Sequence, residues 1–199
     1  MDETKQYIKR FVIIAVCCGT ALLLACTDTR KTPTSVVLTT VDTITTFILV
    51  RHAERASPDA DSPLSPKGEE RARALIDAIG QMGVTAIYCP NLKRNRDTVL
   101  PLAELLGLEL KLISNWRMLN TRKLAKEFVE EVLSQHPGGV VVWVGNKSSV
   151  GKWGGNLQEI YQKLGGAGTG PEHYDDLFII KVSNSGPLTI KKIKYGPSA

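Results

Sequence analysis

Short apolar runs alternate with helical patterns along this chain, and that alternation limits the fold more than any other feature. Phe47-Ile48-Leu49-Val50, Thr85-Ala86-Ile87-Tyr88, Leu110-Lys111-Leu112-Ile113 and Val140 to Val144 (VVVWV) have the length and composition of buried strands. Between them lie segments of helical period. Ser65-Pro66 opens one, with serine as N-cap and proline at the first helical position. Ala72, Leu75, Ile76, Ile79 and Met82 continue it, and Gly83 closes it. Lys93 to Leu106 reads as a second helix in two pieces, because Pro101 lacks an N–H and crowds the preceding turn. Leu124, Phe128 and Val132 mark a third at i, i+4, i+8. A fourth is expected over 149–164, followed by two strands, Leu177 to Val182 and Leu188 to Ile193, around Asn184-Ser185-Gly186-Pro187. Five consecutive apolar residues in Val140 to Val144 fit a central parallel strand covered on both faces. The order predicts a three-layer α/β/α sandwich with a mostly parallel sheet.

In open parallel sheets, ligands sit outside the carboxyl ends of the strands. Three polar segments leave such ends: Arg51-His52-Ala53-Glu54-Arg55, Asn91-Leu92-Lys93-Arg94-Asn95-Arg96, and Gly145-Asn146-Lys147-Ser148-Ser149. Together they surround one anion with arginines, a histidine and helix N-termini. A P-loop is not a competing reading. Gly145 and Gly151 are spaced one residue too far apart, and Trp153 follows Lys152 where Ser or Thr is needed.

Val50-Arg51-His52-Ala53-Glu54, directly after a strand, resembles the signature of the histidine phosphatase (phosphoglycerate mutase-like) superfamily. Leu64-Ser65-Pro66-Lys67-Gly68-Glu69-Glu70-Arg71-Ala72 is similar to that family's helix start, and Ile87 to Thr98 to its second-strand segment. The resemblance runs from about 46 to 195 in order. It implies a phosphate-monoester hydrolase with His52 as nucleophile, passing through a phosphohistidine, and Arg51 and Arg94 as phosphoryl clamps. It implies no metal and no cofactor, and a phosphorylated small molecule as partner.

One position departs from the family pattern. Where the family has Gly-His after the central strand, this chain has Gly145-Asn146. Asn146 offers a neutral amide donor to phosphate but no charge and no proton shuttle. Two readings follow: a hydrolase of reduced or altered activity, and an inactive pseudophosphatase that binds phosphorylated ligands. A third leaves Arg51 and Arg94 as surface ion-pair partners. The general acid is open. The segment Trp116 to Asn120 has no carboxylate where the resemblance calls for one, which leaves Glu54, Asp59 and Asp61 by proximity to His52, with Glu54 taken as the acid.

The first 25 residues read as an address. Lys5, Lys9 and Arg10 precede the uncharged apolar run Phe11 to Ala25. As a helix that run spans about 22 Å, short of the roughly 30 Å hydrocarbon core, so it reads as a secretory signal. It ends in Leu23-Leu24-Ala25-Cys26, which resembles a bacterial lipobox and implies a lipid on Cys26, the alternative being an ordinary secretory signal in which Cys26 is incidental. Residues 26–45 then form a flexible tether and 46–199 the domain, held at the membrane of a bacterial cell envelope. Cleavage lowers the net charge from +5 to +4 and leaves Cys26 and Cys89 as the remaining cysteines. With aromatics at 6% and no basic run interleaved with them, nucleic acid is not an expected partner.

Overall fold

The computed structural model describes residues 42–147 and 155–199, which fall within one compact unit, residues 40–199. The signal, most of the tether, Cys26 and Ser148-Ser149 lie outside the described residues.

The elements follow the predicted order: β1 (Ile44–Arg51), α1 (Pro66–Ile79), β2 (Val84–Pro90), α2 (Lys93–Leu106), β3 (Leu110–Ile113), a 3-10 turn (Asn115–Leu119), α3 (Thr121–Gln135), β4 (Val140–Gly145), α4 (Asn156–Lys163), β5 (Asp176–Ser183) and β6 (Thr189–Lys194). They form one six-stranded sheet in the order β3-β2-β4-β1-β5-β6. The β3, β2, β4 and β1 strands are parallel, and β5 and β6 run antiparallel to their neighbours.

Side chains on alternate positions of a strand face opposite sides. Ile48, Val50, Ile87, Cys89, Val142 and Val144 therefore pack with Leu75 and Ile79 of α1 and Val99 and Leu102 of α2. Phe47, Leu49, Tyr88, Val141 and Trp143 pack with Phe128 and Val132 of α3 and Leu157 and Ile160 of α4. That is the three-layer sandwich, with β4 at its centre. Phe128 lies against Phe47, Tyr88 and Trp143, with ring centroids 6.1, 5.3 and 4.6 Å away.

Two local features differ from expectation. β1 begins at Ile44, so Thr45 and Thr46 are already buried strand residues. α2 runs unbroken through Pro101. Proline in a helix interior costs about 3 kcal/mol. Val99, Leu102 and Ala103 around it are all buried against the sheet, and their burial holds the helix continuous. Of the helix expected over 149–164, the part from Asn156 is seen as helix, and 148–154 lies outside the described residues.

Candidate active site

The three polar segments meet at the carboxyl edge of the sheet. β1 delivers Arg51 and His52, the first turn of α2 delivers Arg94, and the end of β4 delivers Asn146. Backbone and side-chain hydrogen bonds lock these segments together. The His52 N–H donates to the Gly145 carbonyl at 3.0 Å. The Ala53 N–H donates to Thr98 Oγ1 at 2.8 Å, and the Thr98 hydroxyl donates to the Arg94 carbonyl at 2.7 Å. Asn95 Nδ2 donates to the Val144 carbonyl at 3.1 Å.

His52 is 5% exposed. Its Nδ1 lies 2.8 Å from the Ala53 carbonyl. A carbonyl only accepts, so the proton sits on Nδ1 and the Nε2 lone pair is left for chemistry. Burial pushes the imidazole pKa down to about 3, and the charges of Arg94, Arg51 and Arg55 press the same way. His52 is therefore neutral at any physiological pH, the protonation state a nucleophile requires.

Arg51 and Arg94 are partly buried, and burial lowers the pKa of both from the ordinary value. Arg51 Nη1 donates to the Glu172 carbonyl at 2.8 Å. Arg94 donates through Nη1 to the Ala60 carbonyl and through Nη2 to Asn146 Oδ1, the latter at 3.1 Å. Each arginine keeps a buried Nε–H with no acceptor among the described residues. Two guanidinium groups with unmet donors beside a neutral imidazole are the groups that hold an anion.

Asn146 is 6% exposed. Arginine has donors only, so contact with Arg94 fixes the amide with Oδ1 toward it and the NH₂ turned away. Asn156 holds this turn in place. Its Oδ1 accepts the Asn146 N–H and Trp143 Nε1, each at 3.0 Å. Gly145 is needed between them. A Cβ there would stand 2.3 Å from Asn156 Oδ1 and 2.4 Å from Trp143 Nε1.

Glu54 does not have the surroundings of a proton donor. Its carboxylate is 13% exposed and receives Arg71 Nε at 2.9 Å and Nη2 at 2.7 Å, with Lys67 at 3.9 Å. Burial opposes ionisation, but the Arg71 hydrogen bonds prevail and hold the carboxyl below its usual range. An ionised, bidentate carboxylate has no proton to give, so Glu54 is a structural anchor and not the acid. Gly68 allows this contact, since a Cβ there would meet the Glu54 carbonyl at 2.2 Å. Asp59 and Asp61 are also engaged, Asp59 by Ser57 and Asp61 by the Lys93 N–H. His136 lies at the other end of β4, where Nε2 meets the Tyr88 hydroxyl at 3.1 Å.

Thr98, Asn95, Asn156 and Tyr174 are the site residues without a sequence-derived role. Tyr174 precedes β5. Because β5 is antiparallel to β1, with Leu177 opposite Val50, the start of β5 lies at the same edge as the end of β1. The Tyr174 ring centroid is 3.9 Å from Arg51 Cζ and 5.7 Å from the His52 ring.

A parallel-sheet edge that brings a neutral histidine together with two arginines defines a class, an α/β protein with a cationic site around a buried imidazole. The chain belongs to the histidine phosphatase superfamily (branch 1), whose family model matches residues 47–167. It is 31% identical over 97 residues to "Probable phosphoglycerate mutase GpmB" of Enterobacter sp. (strain 638), a match covering 45% of each chain. The equivalent protein of Shigella dysenteriae serotype 1 (strain Sd197) is 32% identical over 94 residues, covering 44% of each. The chain thus spans a little under half the length of these curated relatives. Among solved structures, a mycobacterial glucosyl-3-phosphoglycerate phosphatase superposes with a TM-score of 0.55 at 16% identity, covering 77% of this chain and 99% of that one. The protein histidine phosphatase SixA, solved with tungstate, gives 0.54 at 12% identity, covering 75% and 96%. At these identities the structural matches bear on the fold.

Proposed function

We propose that this protein is a phosphate-monoester hydrolase that works through a phosphohistidine on His52. The observation that carries the reading is the pair of buried Nε–H donors of Arg51 and Arg94, without an acceptor among the described residues, beside a neutral His52. Nε2 attacks phosphorus, and the P–N bond forms as the ester P–O bond breaks. The leaving oxygen takes a proton from a water molecule, and the hydroxide so formed attacks phosphorus. The P–N bond breaks, hydrogen phosphate leaves, and His52 returns to its neutral form. Arg51 and Arg94 hold the equatorial oxygens, where charge is spread in the transition state. The Asn146 amide adds a neutral donor in place of an imidazolium.

That replacement favours a second reading, a pocket that binds phosphorylated ligands without turnover. Removing a transition-state donor outright costs about 2.7–4 kcal/mol, or 10²–10³ in rate, which bounds the cost of exchanging an imidazolium for an amide. We also propose, from Leu23-Leu24-Ala25-Cys26, that a lipid on Cys26 holds the domain at a bacterial cell envelope.

The test is p-nitrophenyl phosphate turnover by wild type, His52→Ala and Asn146→His. The hydrolase reading requires wild-type turnover that disappears in His52→Ala, with Asn146→His faster by up to about 10²–10³. A silent wild type that binds phosphate, with turnover gained in Asn146→His, establishes the second reading. A protein that neither turns over nor binds phosphate contradicts both.

A further inference from the structure

Tyr174 touches both the nucleophile and one of its arginines, and the turn that carries it is held from several sides. Arg51 Nη1 donates to the Glu172 carbonyl at 2.8 Å. The Asp176 carboxylate accepts the N–H groups of Glu172 and His173, each at 2.8 Å. Lys194 of β6 closes on the same carboxylate at 2.7 Å. The turn therefore presents the Tyr174 ring in a set place. Arg51 Cζ lies over that ring, 3.9 Å from its centroid, and the ring is inclined at 64° to the His52 ring, 5.7 Å away.

We propose that Tyr174 is a positioning residue whose aromatic ring fixes the plane of the Arg51 guanidinium and walls the His52 imidazole from water. The proposal rests on the phosphoryl-binding reading of the site. A guanidinium stacked on a ring gains cation–π attraction and loses rotational freedom before the ligand arrives. Its remaining donors are then aimed without further ordering, which is preorganisation. The same ring removes solvent from one side of the imidazole, where Arg51, Arg94 and Arg55 supply the surrounding charge. The work is done by the ring and not by the hydroxyl, so phenylalanine serves equally.

The experiment compares wild type, Tyr174→Phe, Tyr174→Leu and Tyr174→Ala by two measurements on the same protein. One is inorganic phosphate affinity by calorimetry, and the other is the His52 imidazole titration by NMR, assigned with His52→Gln. Tyr174→Phe is expected to match wild type in both. Tyr174→Ala is expected to bind phosphate about tenfold more weakly and to titrate His52 at higher pH, nearer its ordinary value. Tyr174→Leu fills the volume without a π face. It is expected to lose phosphate affinity as Tyr174→Ala does while moving His52 less, which separates the stacking from simple unfolding of the turn. Unchanged phosphate affinity or an unchanged His52 titration in Tyr174→Ala overturns the proposal, as does a Tyr174→Phe protein as defective as Tyr174→Ala. If wild type binds no phosphate, the phosphoryl reading itself falls, and the His52 titration still decides whether the ring walls the imidazole.

Discussion

Replacing Glu54 with glutamine separates a structural anchor from a catalytic acid. The Arg71 side chain is fully buried and makes four hydrogen bonds, two to Glu54 and one each to the Tyr195 and Pro197 carbonyls. It thereby ties the segment just after His52 to the end of the chain. Glutamine keeps the shape but removes the compensating charge from a guanidinium with no access to solvent. Breaking a buried pair in this way costs about 3–5 kcal/mol. Against a typical total of about 5–15 kcal/mol, that is a large share of the stability. Urea unfolding at pH 7 should show it as a lower midpoint with the slope unchanged. The pH dependence has a definite sign. The folded Glu54 carboxyl is held below its ordinary 4.5, so its stabilisation is present above that value and is lost as pH falls through the folded value. The gap between wild type and Glu54→Gln should therefore close in acid. Arg71→Met should cost a similar amount, and the double variant less than the sum. Activity per folded molecule provides the second arm. A general acid is worth about 10²–10⁴ in rate, most with poor leaving groups such as alkyl phosphates. Glu54→Gln should lower alkyl and p-nitrophenyl phosphate turnover by the same small factor. A fully stable Glu54→Gln protein that loses only alkyl phosphate turnover would refute the reasoning and restore Glu54 as the acid.

Two further predictions concern His52 and Cys26. The folded His52 pKa is about 3 against an ordinary 6.5, so the unfolded chain takes up a proton that the folded protein refuses. Stability is complete above about pH 6.5 and falls by up to about 1.4 kcal/mol per pH unit toward pH 3. The stability of wild type minus that of His52→Gln, measured by urea unfolding from pH 7 to pH 4, should decline over that window, and a flat difference contradicts the buried neutral imidazole. For the lipid, Cys26→Ser should move the protein from the membrane fraction to the soluble fraction of its bacterial host, and undiminished membrane attachment contradicts the anchor.

The strands of the fold were legible because burial on both faces demands runs such as Val140 to Val144, and few other structures tolerate them. Ser65-Pro66 announced its helix for an equally local reason, and the Ser65 side chain does accept the Gly68 N–H. Pro101 misled because its cost is local while the compensation, Val99, Leu102 and Ala103 against the sheet, is tertiary. Arg51, His52, Arg94 and Asn146 could be gathered because all four follow the carboxyl ends of parallel strands. Glu54 was misjudged because nearness to His52 along the chain says nothing of Arg71, seventeen residues on and buried beneath it. Tyr174 was missed because its place depends on β5 running antiparallel to β1, a pairing that no residue near Tyr174 announces.

Turnover by the proposed route requires a covalent bond between His52 and phosphorus. Rapid quenching of the protein with a ³²P-labelled phosphate monoester, followed by peptide mapping, tests it directly. Label is expected on the peptide that carries His52, stable to alkali, lost in acid and absent from His52→Ala. Phosphate release without such label, or label unchanged in His52→Ala, contradicts it.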